Sequence, residues 1–559
     1  MTTEVPPARD TAAVLRGAAV VPGVGAGPVV RPTARPQVPE NEAAVDPKAS
    51  AQRFAEAAGL VAERLTGRSA IASGPAVEVL VTTAALAGDR GLADLVAKRI
   101  AAGDGPATAT AAAIEELSAM FRAAGGLMAE RVTDLRDVRD RVVAELTGQP
   151  EPGIPMPDAP SVLCADDLAP ADTAGLDPSR IVAIATSLGG ATSHTAIIAR
   201  QLGIPCVVAV SGLDDVQAGT YVLIDGGTGE VVIGPAEDLV RGRTAAADAA
   251  RAAAAEWVGP GATSDGHAVE ILANVQDGAG ARRAAETPVQ GVGLFRTELC
   301  FLDRDTEPGV EEQAEVYAQV LAAMGKRKVV IRTLDAGSDK PLAFASIPHE
   351  PNPALGVRGL RLGMADEGIM DRQLDAIAQA ASGAQATVWV MAPMVATEAE
   401  AAWFAERVRA RGLTAGAMIE VPSAALLADR LLEHLDFVSI GTNDLSQYTM
   451  AADRMAPTLV ELTDPWQPAL LTLVAQVARA GQDAGKPVGV CGEAAADPLL
   501  GCVLAGMGVT SLSSASTAAP AVGARLGQVS LDQCEVAAQA ALAAADPRQA
   551  RADAATVLS

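Results

Sequence analysis

The spacing of apolar and polar residues predicts an α/β body in the first part of the chain, interrupted by a run of helices. Residues 15–32 predict a short strand, a glycine turn and another strand, and short apolar strands return from residue 161 onward. Between them, apolar residues recur at helical spacing. We therefore expect a discontinuous α/β domain over residues 1–35 and 148–235, with a helical subdomain over residues 36–147 inserted into it.

A charged, alanine-rich segment follows this α/β domain. The sequence EDLVRGRTAAADAARAAAAEW predicts an exposed helix, and the breaker GPGATSDG comes after it. Composition alone leaves two interpretations open, a helix that links two bodies and an ordinary surface helix. We expect a linker over residues 236–262.

Beyond the linker, short apolar segments alternate with segments of helical length. Eight of them predict buried strands, at residues 269–274, 291–298, 329–335, 387–394, 415–420, 437–444, 487–493 and 509–514. This number of strands, alternating with helices, is typical of a (β/α)₈ barrel. The expected fold class is therefore multidomain α/β, with a C-terminal barrel over residues 263–559.

Most of the predicted barrel strands consist of apolar residues and end in polar residues. The polar residues at these ends include Asn274, Arg296, Arg332, Glu420, Asn443, Asp444 and Cys491. In (β/α)₈ barrels the carboxyl ends of the strands carry the active site. This concentration favours one site over a set of unrelated turn residues.

Four arginines are expected on this rim: Arg296, Arg332, Arg358 and Arg454. A guanidinium group binds phosphate and carboxylate oxygens in a bidentate manner. Any one of these arginines alone would more readily form a surface ion pair. Several of them together at strand ends indicate a small, strongly anionic substrate.

Glu420 and Asp444 lie beside these arginines and beside the amide of Asn443. They could serve as counter-charges for the arginines, or they could bind Mg²⁺, which takes one or two carboxylates together with substrate oxygens and water. With a phosphorylated substrate in the pocket, Mg²⁺ is the favoured interpretation. Cys491 in the motif VCGE is either a buried, inert thiol or, because of its place on the rim, a proton donor.

A second candidate site lies in the first body, within GGATSHTAIIARQLGIP. A helix is predicted from Thr195, with Ile197, Ile198 and Leu202 on its apolar face, so His194 lies at its N-terminus. Unpaired N–H groups there favour a phosphoryl group, and a neutral imidazole is a competent nucleophile at phosphorus. The alternative, that His194 merely caps the helix, fits the local pattern equally well.

Composition excludes several classes of function. With 43 basic and 68 acidic residues, the formal charge of −25 argues against nucleic acid or an anionic membrane as a main partner. No apolar run approaches the ~18 residues that a membrane span requires, and the N-terminus lacks the pattern of a signal peptide. The six cysteines are scattered without zinc-binding spacing. These features predict a cytoplasmic protein with reduced thiols and no membrane insertion.

Taken together, the motifs resemble enzyme I of the phosphoenolpyruvate-dependent sugar phosphotransferase system over nearly the whole chain. The segment GGATSHTAIIARQLGIPCVV is similar to the phosphohistidine signature of that family. The segments GVGLFRTE, VVIRTLDAGSDK, NPALGVRGLR, IEVPSA, FVSIGTNDLSQYTMAADR and GVCGE resemble its barrel motifs in the same order. An ordered set of this kind is highly specific.

The resemblance implies a role for each candidate residue. His194 would be the phosphorylated nucleophile, hydrogen-bonded by Thr173, and Cys491 would protonate the enolate to release pyruvate. Glu420 and Asp444 would ligate Mg²⁺. The residues that would hold phosphoenolpyruvate are Arg296, Arg332, Arg358, Asn443, Asp444 and Arg454.

The resemblance also implies partners. The helical subdomain would dock the phosphocarrier protein HPr, to which His194 passes its phosphoryl group, as the first step of sugar uptake. The N-terminal body would swivel about the linker, and the barrel would form a homodimer. The alternative is a catalytically silent paralogue that binds phosphoenolpyruvate or the carrier as a regulator, but every residue assigned to chemistry is present.

Overall fold

The structure is a computed structural model that divides into two compact units, residues 1–247 and 248–559. It describes the whole chain except residues 1–12, 34, 41, 71–74, 125–130, 156, 169–175, 191–192, 303, 338–341, 343, 346–349 and 455.

The first unit contains an eight-stranded sheet. Its strands are β1 (Ala13–Arg16), β2 (Ala18–Val21), β3 (Val24–Val30), β4 (Ser161–Ala165), β5 (Ile181–Thr186), β6 (Cys206–Val208), β7 (Tyr221–Asp225) and β8 (Glu230–Ile233). The order is β1-β8-β7-β3-β4-β5-β6-β2, and β3 to β6 run parallel. Strands β7 and β8 form the hairpin that the glycine-rich turn between them predicts.

The first segment of this sheet differs from its prediction, because the structure has three strands there rather than two. Strands β1 and β2 are separated only by Gly17 and pair with β8 and β6 at opposite edges of the sheet. A Cβ atom at Gly17 would lie 2.3 Å from the Val208 carbonyl oxygen, so this crossing requires glycine.

Five helices follow β3 in the described part of the first unit: α1 (Pro47–Ser69), α2 (Pro75–Ala87), α3 (Arg90–Ala101), α4 (Pro106–Ala124) and α5 (Val132–Thr147). They share a core of their own. Leu135, Val138 and Val142 of α5 are fully buried in it, as their helical spacing predicts. Two further helices in the described residues are α6 (His194–Leu202) and α7 (Glu237–Glu256), the second of which includes the boundary between the two units. No residue of α7 is buried, which confirms the prediction of an exposed helix.

The second unit is built on a closed barrel of eight parallel strands, as the alternation of segments predicts. These strands are β9 (Glu270–Val275), β10 (Gly291–Arg296), β11 (Lys328–Arg332), β12 (Thr387–Ala392), β13 (Thr414–Ile419), β14 (Phe437–Ile440), β15 (Val488–Val490) and β16 (Ser511–Ser514). The strand β16 pairs with β9 and closes the barrel.

Helices surround the barrel, and apolar side chains fill both its interior and the layer between strands and helices. These helices are α8 (Gly278–Ala285), α9 (Val310–Met324), α10 (Leu360–Ala365), α11 (Glu367–Ser382), α12 (Glu398–Arg409), α13 (Pro422–Leu426), α14 (Ala428–His434), α15 (Thr442–Met450), α16 (Pro468–Ala484), α17 (Pro498–Gly506), α18 (Ala519–Leu526), α19 (Leu531–Ala543) and α20 (Pro547–Val557). Within the described part of the chain, no helix combines the length and hydropathy that crossing a membrane requires.

Candidate active site

The carboxyl ends of the barrel strands bring most of the predicted barrel residues to one face. Strands β10 and β11 end at Arg296 and Arg332, and Glu420 directly follows β13. Asn443 and Asp444 follow β14, and Cys491 follows β15. Because all eight strands are parallel, these ends lie at the same mouth of the barrel.

Arg358 and Arg454 reach this region by another route. Arg358 precedes α10 and Arg454 follows α15, and both lie in loops rather than at strand ends. Ion pairs nevertheless connect them to the mouth. Arg358 forms a bidentate pair with Asp335, in which its Nε and Nη2 lie 3.0 and 3.1 Å from the carboxylate oxygens.

Two carboxylates contact Arg332, one buried and one partly buried. Its Nη2 lies 2.7 Å from Glu298 Oε1, and its Nη1 lies 3.0 Å from Asp335 Oδ2. Asp335 is 1% exposed and Arg332 is 5% exposed. Two negative partners hold the guanidinium group in its charged form despite its burial, and its pKa is raised above the ordinary value.

Asp444 forms ion pairs with two arginines of the mouth. Its Oδ2 lies 3.4 Å from Arg358 Nη2, and its Oδ1 lies 3.7 Å from Arg454 Nη1. Asn443 lies next to it, and its Oδ1 accepts a hydrogen bond from the Glu493 N–H at 2.8 Å. The three arginines of this network therefore already have carboxylate partners.

Arg296 differs from the other three arginines. It is half-buried, and among the described residues it forms no ion pair and no side-chain hydrogen bond. An anion can therefore bind this guanidinium group without displacing a partner in the described part of the protein.

Among the described residues of the mouth, two buried carboxylate oxygens lack a hydrogen-bond partner: Glu420 Oε2 and Asp444 Oδ1. The other oxygen of Glu420 accepts a hydrogen bond from the Met394 N–H at 2.7 Å. Burial raises the pKa of Glu420 to about 7, with a further rise from the neighbouring charges of Asp335 and Asp444. Such oxygens suit a hard divalent cation.

These two carboxylates are too few to hold a metal ion by themselves. In the described ranges, no group of three or more His, Cys, Asp or Glu side chains could bind one. The donor set therefore fits a cation such as Mg²⁺ that completes its coordination with substrate oxygens and water.

Cys491 lies in the same mouth and is 2% exposed. Burial raises the pKa of its thiol to about 11, so the thiol keeps its proton at neutral pH. The Asn274 amide donates a hydrogen bond to the Cys491 carbonyl oxygen at 3.2 Å. A protonated thiol agrees with both interpretations of this residue, the inert thiol and the proton donor.

The structure describes the helix of His194 but not the conformation of the histidine side chain. Helix α6 begins at His194, and its N-cap is Ser193, whose Oγ accepts a hydrogen bond from the Ala196 N–H at 3.3 Å. Ser193, and not His194, therefore occupies the N-cap position of this helix. The N-terminal position of His194 in the helix, which favours a nearby phosphoryl group, is confirmed.

The predicted apolar face of α6 is partly wrong. Ile197 is 44% exposed, whereas Thr195, Ala196 and Ala199 are buried. The helix packs its small side chains inward, and the Thr195 hydroxyl donates to Asp167 Oδ1 at 3.3 Å. Thr173 lies outside the described residues.

Sequence reasoning gave no chemical role to Glu298, Asp335 or Tyr448. The first two follow Arg296 and Arg332 at the ends of their predicted strands, and this place on the rim is the signal that marks them. Tyr448, whose Oη lies 3.4 Å from Arg358 Nη1, carries no such signal because 90 residues separate the two.

Comparison with known protein families gives three matches along the chain. Residues 16–131 match the family described as PEP-utilising enzyme, N-terminal, residues 157–229 its mobile domain, and residues 251–531 its PEP-binding domain.

Curated relatives include a phosphoenolpyruvate-protein phosphotransferase of Streptomyces coelicolor. It is 48% identical to this chain over 555 residues, which cover 98% of this chain and 99% of that protein. The protein of the same name from Bacillus subtilis is 36% identical and covers 76% of this chain and 78% of its own length. Among solved structures, a solution structure of Enzyme I (nEIt) covers 42% of this chain and 99% of its own, at 27% identity and a TM-score of 0.38.

Proposed function

The chain belongs to the phosphoenolpyruvate-protein phosphotransferases, the enzyme I family, and within this phosphoenolpyruvate-dependent reaction we propose that His194 accepts the phosphoryl group and passes it to HPr. One observation carries the barrel part of the proposal: a network of buried arginines and carboxylates lies at the carboxyl ends of the barrel strands, and it leaves Arg296 unpaired among the described residues. Such a mouth suits a small anion that carries both phosphate and carboxylate.

In the proposed complex, Arg296 binds the substrate directly, and Arg332 and Arg454 turn towards it as the new anion competes with their carboxylate partners. Asn443 is positioned by its hydrogen bond to the Glu493 N–H. Arg358 stays bound to Asp335 and keeps that carboxylate from repelling the substrate. These groups offset the charge that develops on the transferring phosphoryl group.

The proposed reaction begins with attack of the His194 imidazole on phosphorus. An N–P bond forms as the bond between phosphorus and the enol oxygen breaks, and the electron pair of that bond stays with the enolate of pyruvate. The Cys491 thiol donates its proton to the methylene carbon of the enolate, and pyruvate leaves. Water then returns a proton to the thiolate, whose raised pKa favours reprotonation.

Glu420 and Asp444 would hold Mg²⁺ through the oxygens that lack a hydrogen-bond partner among the described residues. Mg²⁺ bound there would supply positive charge that offsets the negative charge of the substrate. Whether or not the metal is bound, Glu420 keeps its hydrogen bond from the Met394 N–H, and this bond fixes the direction of its carboxylate.

The proposed domain roles follow the boundaries expected from sequence. Residues 1–35 and 148–235 carry the phosphohistidine, residues 36–147 dock HPr, and a swivel about residues 236–262 moves His194 between its two partners. The barrel over residues 263–559 forms the homodimer. The separate core of the helical subdomain supports its treatment as a docking module.

We place the reaction in the cytoplasm, as the first step of sugar uptake. All six cysteines are free and buried, which suits a reducing compartment.

Pyruvate release tests this proposal. With phosphoenolpyruvate and Mg²⁺ alone, the wild-type chain should release pyruvate in a single burst that matches the number of His194 sites. Addition of HPr should convert the burst into continuous turnover. Bound phosphoenolpyruvate without any pyruvate would favour the catalytically silent paralogue instead.

A further inference from the structure

A buried glutamine behind the barrel mouth connects two of the loops that form it. Gln373 on α11 is 1% exposed. Its Oε1 accepts a hydrogen bond from the Leu334 N–H at 2.9 Å, and its Nε2 donates to Thr297 Oγ1 and to Tyr317 Oη, each at 3.1 Å. Since a backbone N–H can only donate, this arrangement fixes which end of the amide faces which loop.

The hydrogen bonds continue on both sides of Gln373. The Thr297 hydroxyl donates to the Arg332 carbonyl oxygen at 3.0 Å. On the other side, Tyr317 Oη donates to Gln313 Oε1 at 3.0 Å, and Gln313 Nε2 donates to the Pro308 carbonyl oxygen at 2.9 Å. The four side chains that form this series of hydrogen bonds are each at most 1% exposed: Gln313, Tyr317, Gln373 and Thr297. Loss of one member would therefore leave buried groups without partners.

The two loops that Gln373 joins carry the charged groups of the mouth. Thr297 lies between Arg296 and Glu298, and Leu334 lies between Arg332 and Asp335 in sequence. Glu298 makes a parallel connection, because its Oε1 accepts from both Arg332 Nη2 at 2.7 Å and the Asp335 N–H at 3.1 Å. The two loops are thus joined twice, once by the buried amide of Gln373 and once by the carboxylate of Glu298.

Strands β10 and β11 already pair Arg296 with Arg332. We propose that Gln373 is a positioning residue for phosphoenolpyruvate, which holds the segments after these two arginines together through Thr297 and Leu334 and so sets the separation of their guanidinium groups. The inference rests on the proposed substrate role of these two arginines. Gln373 itself does not touch the substrate. Its effect is on binding, because two guanidinium groups share one anion only when their separation matches it.

The test measures phosphoenolpyruvate binding by calorimetry with Mg²⁺ in a His194→Ala background, where transfer is blocked. Gln373→Met keeps the side-chain volume but removes three hydrogen bonds, and we expect the dissociation constant to rise tenfold or more. Gln290→Met is the matched control. Gln290 Oε1 accepts from the Gly261 and Ile271 N–H groups at 2.9 and 3.1 Å, near the amino ends of β9 and β10. This variant should lose stability without losing affinity.

Two further variants keep the inference falsifiable if Gln373→Met does not fold. Thr297→Val should weaken binding to a similar extent, and Tyr317→Phe should leave binding within threefold, because both loop contacts of Gln373 remain. Unchanged affinity in Gln373→Met or Thr297→Val, or an equal loss in Gln290→Met, would overturn the inference. Arg332→Ala distinguishes failure of the proposed substrate site from failure of the role of Gln373. If Arg332→Ala binds phosphoenolpyruvate normally, the proposed substrate site itself is wrong. If Arg332→Ala is the only variant that fails to bind, only the role of Gln373 is wrong.

Discussion

The barrel mouth and the start of helix α6 carry the two halves of the proposed chemistry in opposite physical settings. At the mouth, Asp335 and Arg358 are each 1% exposed, and paired charges surround them. Around the start of α6, small side chains pack inward, and apolar Leu188 and Ile197 are 59% and 44% exposed. The mouth is a network of paired charges, whereas His194, the proposed nucleophile, lies at the start of a short helix. In the proposed function, binding therefore relies on a charge network that is already paired, and transfer relies on a group that meets two partners.

This contrast predicts that the largest loss of stability follows from breaking the charge network. Asp335→Ala leaves the buried Arg332 and Arg358 without their shared carboxylate. Removing one partner of a buried ion pair costs about 3–5 kcal/mol. Denaturant unfolding of the variant should show a loss in this range, and a loss below about 1 kcal/mol would mean that the network is not a source of rigidity.

Glu420 should add a pH-dependent effect at the mouth. Its pKa is raised from 4.5 to about 7, so the folded protein holds a proton there that the unfolded chain releases. Without metal, stability from this group is full below about pH 4.5 and falls as pH rises through 7. At 1.36 kcal/mol per unit, the difference is on the order of 3 kcal/mol.

The variant that isolates this effect is Glu420→Gln, which can still accept the Met394 hydrogen bond. In EDTA, thermal unfolding should show this variant to be more stable than the wild type at pH 8 and equal to it at pH 4. Mg²⁺ should stabilise the wild type at pH 8 but not the variant. Parallel stability curves for the two proteins would show that Glu420 does not titrate in this range.

A smaller effect is expected at helix α6. Ser193→Ala removes the N-cap hydrogen bond to the Ala196 N–H, which costs about 1 kcal/mol. Hydrogen exchange should show about fivefold faster exchange of the α6 amides, with the barrel amides unchanged. Slower exchange, or a change that extends to the barrel, would contradict the account of a locally held helix.

The smallest effect is expected from Ile197→Ser. Because this side chain is 44% exposed, its replacement should change the free energy of unfolding by less than about 0.5 kcal/mol. The matched change Ala199→Ser places a hydroxyl on the buried face of the same helix and should destabilise it more. Equal effects would mean that the exposed and buried faces of α6 are assigned the wrong way round.

Sequence alone predicted the barrel because its strands are local apolar runs, most of which end in polar residues. The same logic placed Arg296, Arg332, Glu420 and Cys491 at one face, since parallel strands share an orientation. It failed for contacts that join distant segments. The pair of Arg358 with Asp444 spans 86 residues, and no local pattern indicates it.

Packing also decided details that periodicity could not. The apolar stripe of α6 includes Ile197, but Ala196 and Ala199 face inward in the structure. At the start of the chain, Gly17 breaks a run that the sequence presents as one strand into two strands at opposite edges of the sheet. Each of these outcomes depends on which surface lies opposite, and the sequence of one segment does not contain that information.

The proposed function requires that the barrel binds phosphoenolpyruvate and that His194 accepts its phosphoryl group. Labelled phosphoenolpyruvate with Mg²⁺, given to the wild type and to His194→Ala, tests this most directly. The wild type should carry an acid-labile, base-stable label, and mass spectrometry should map it to the peptide that contains residue 194. The variant should carry no label although it still binds the substrate. Label of the same kind on His194→Ala would contradict the proposed function.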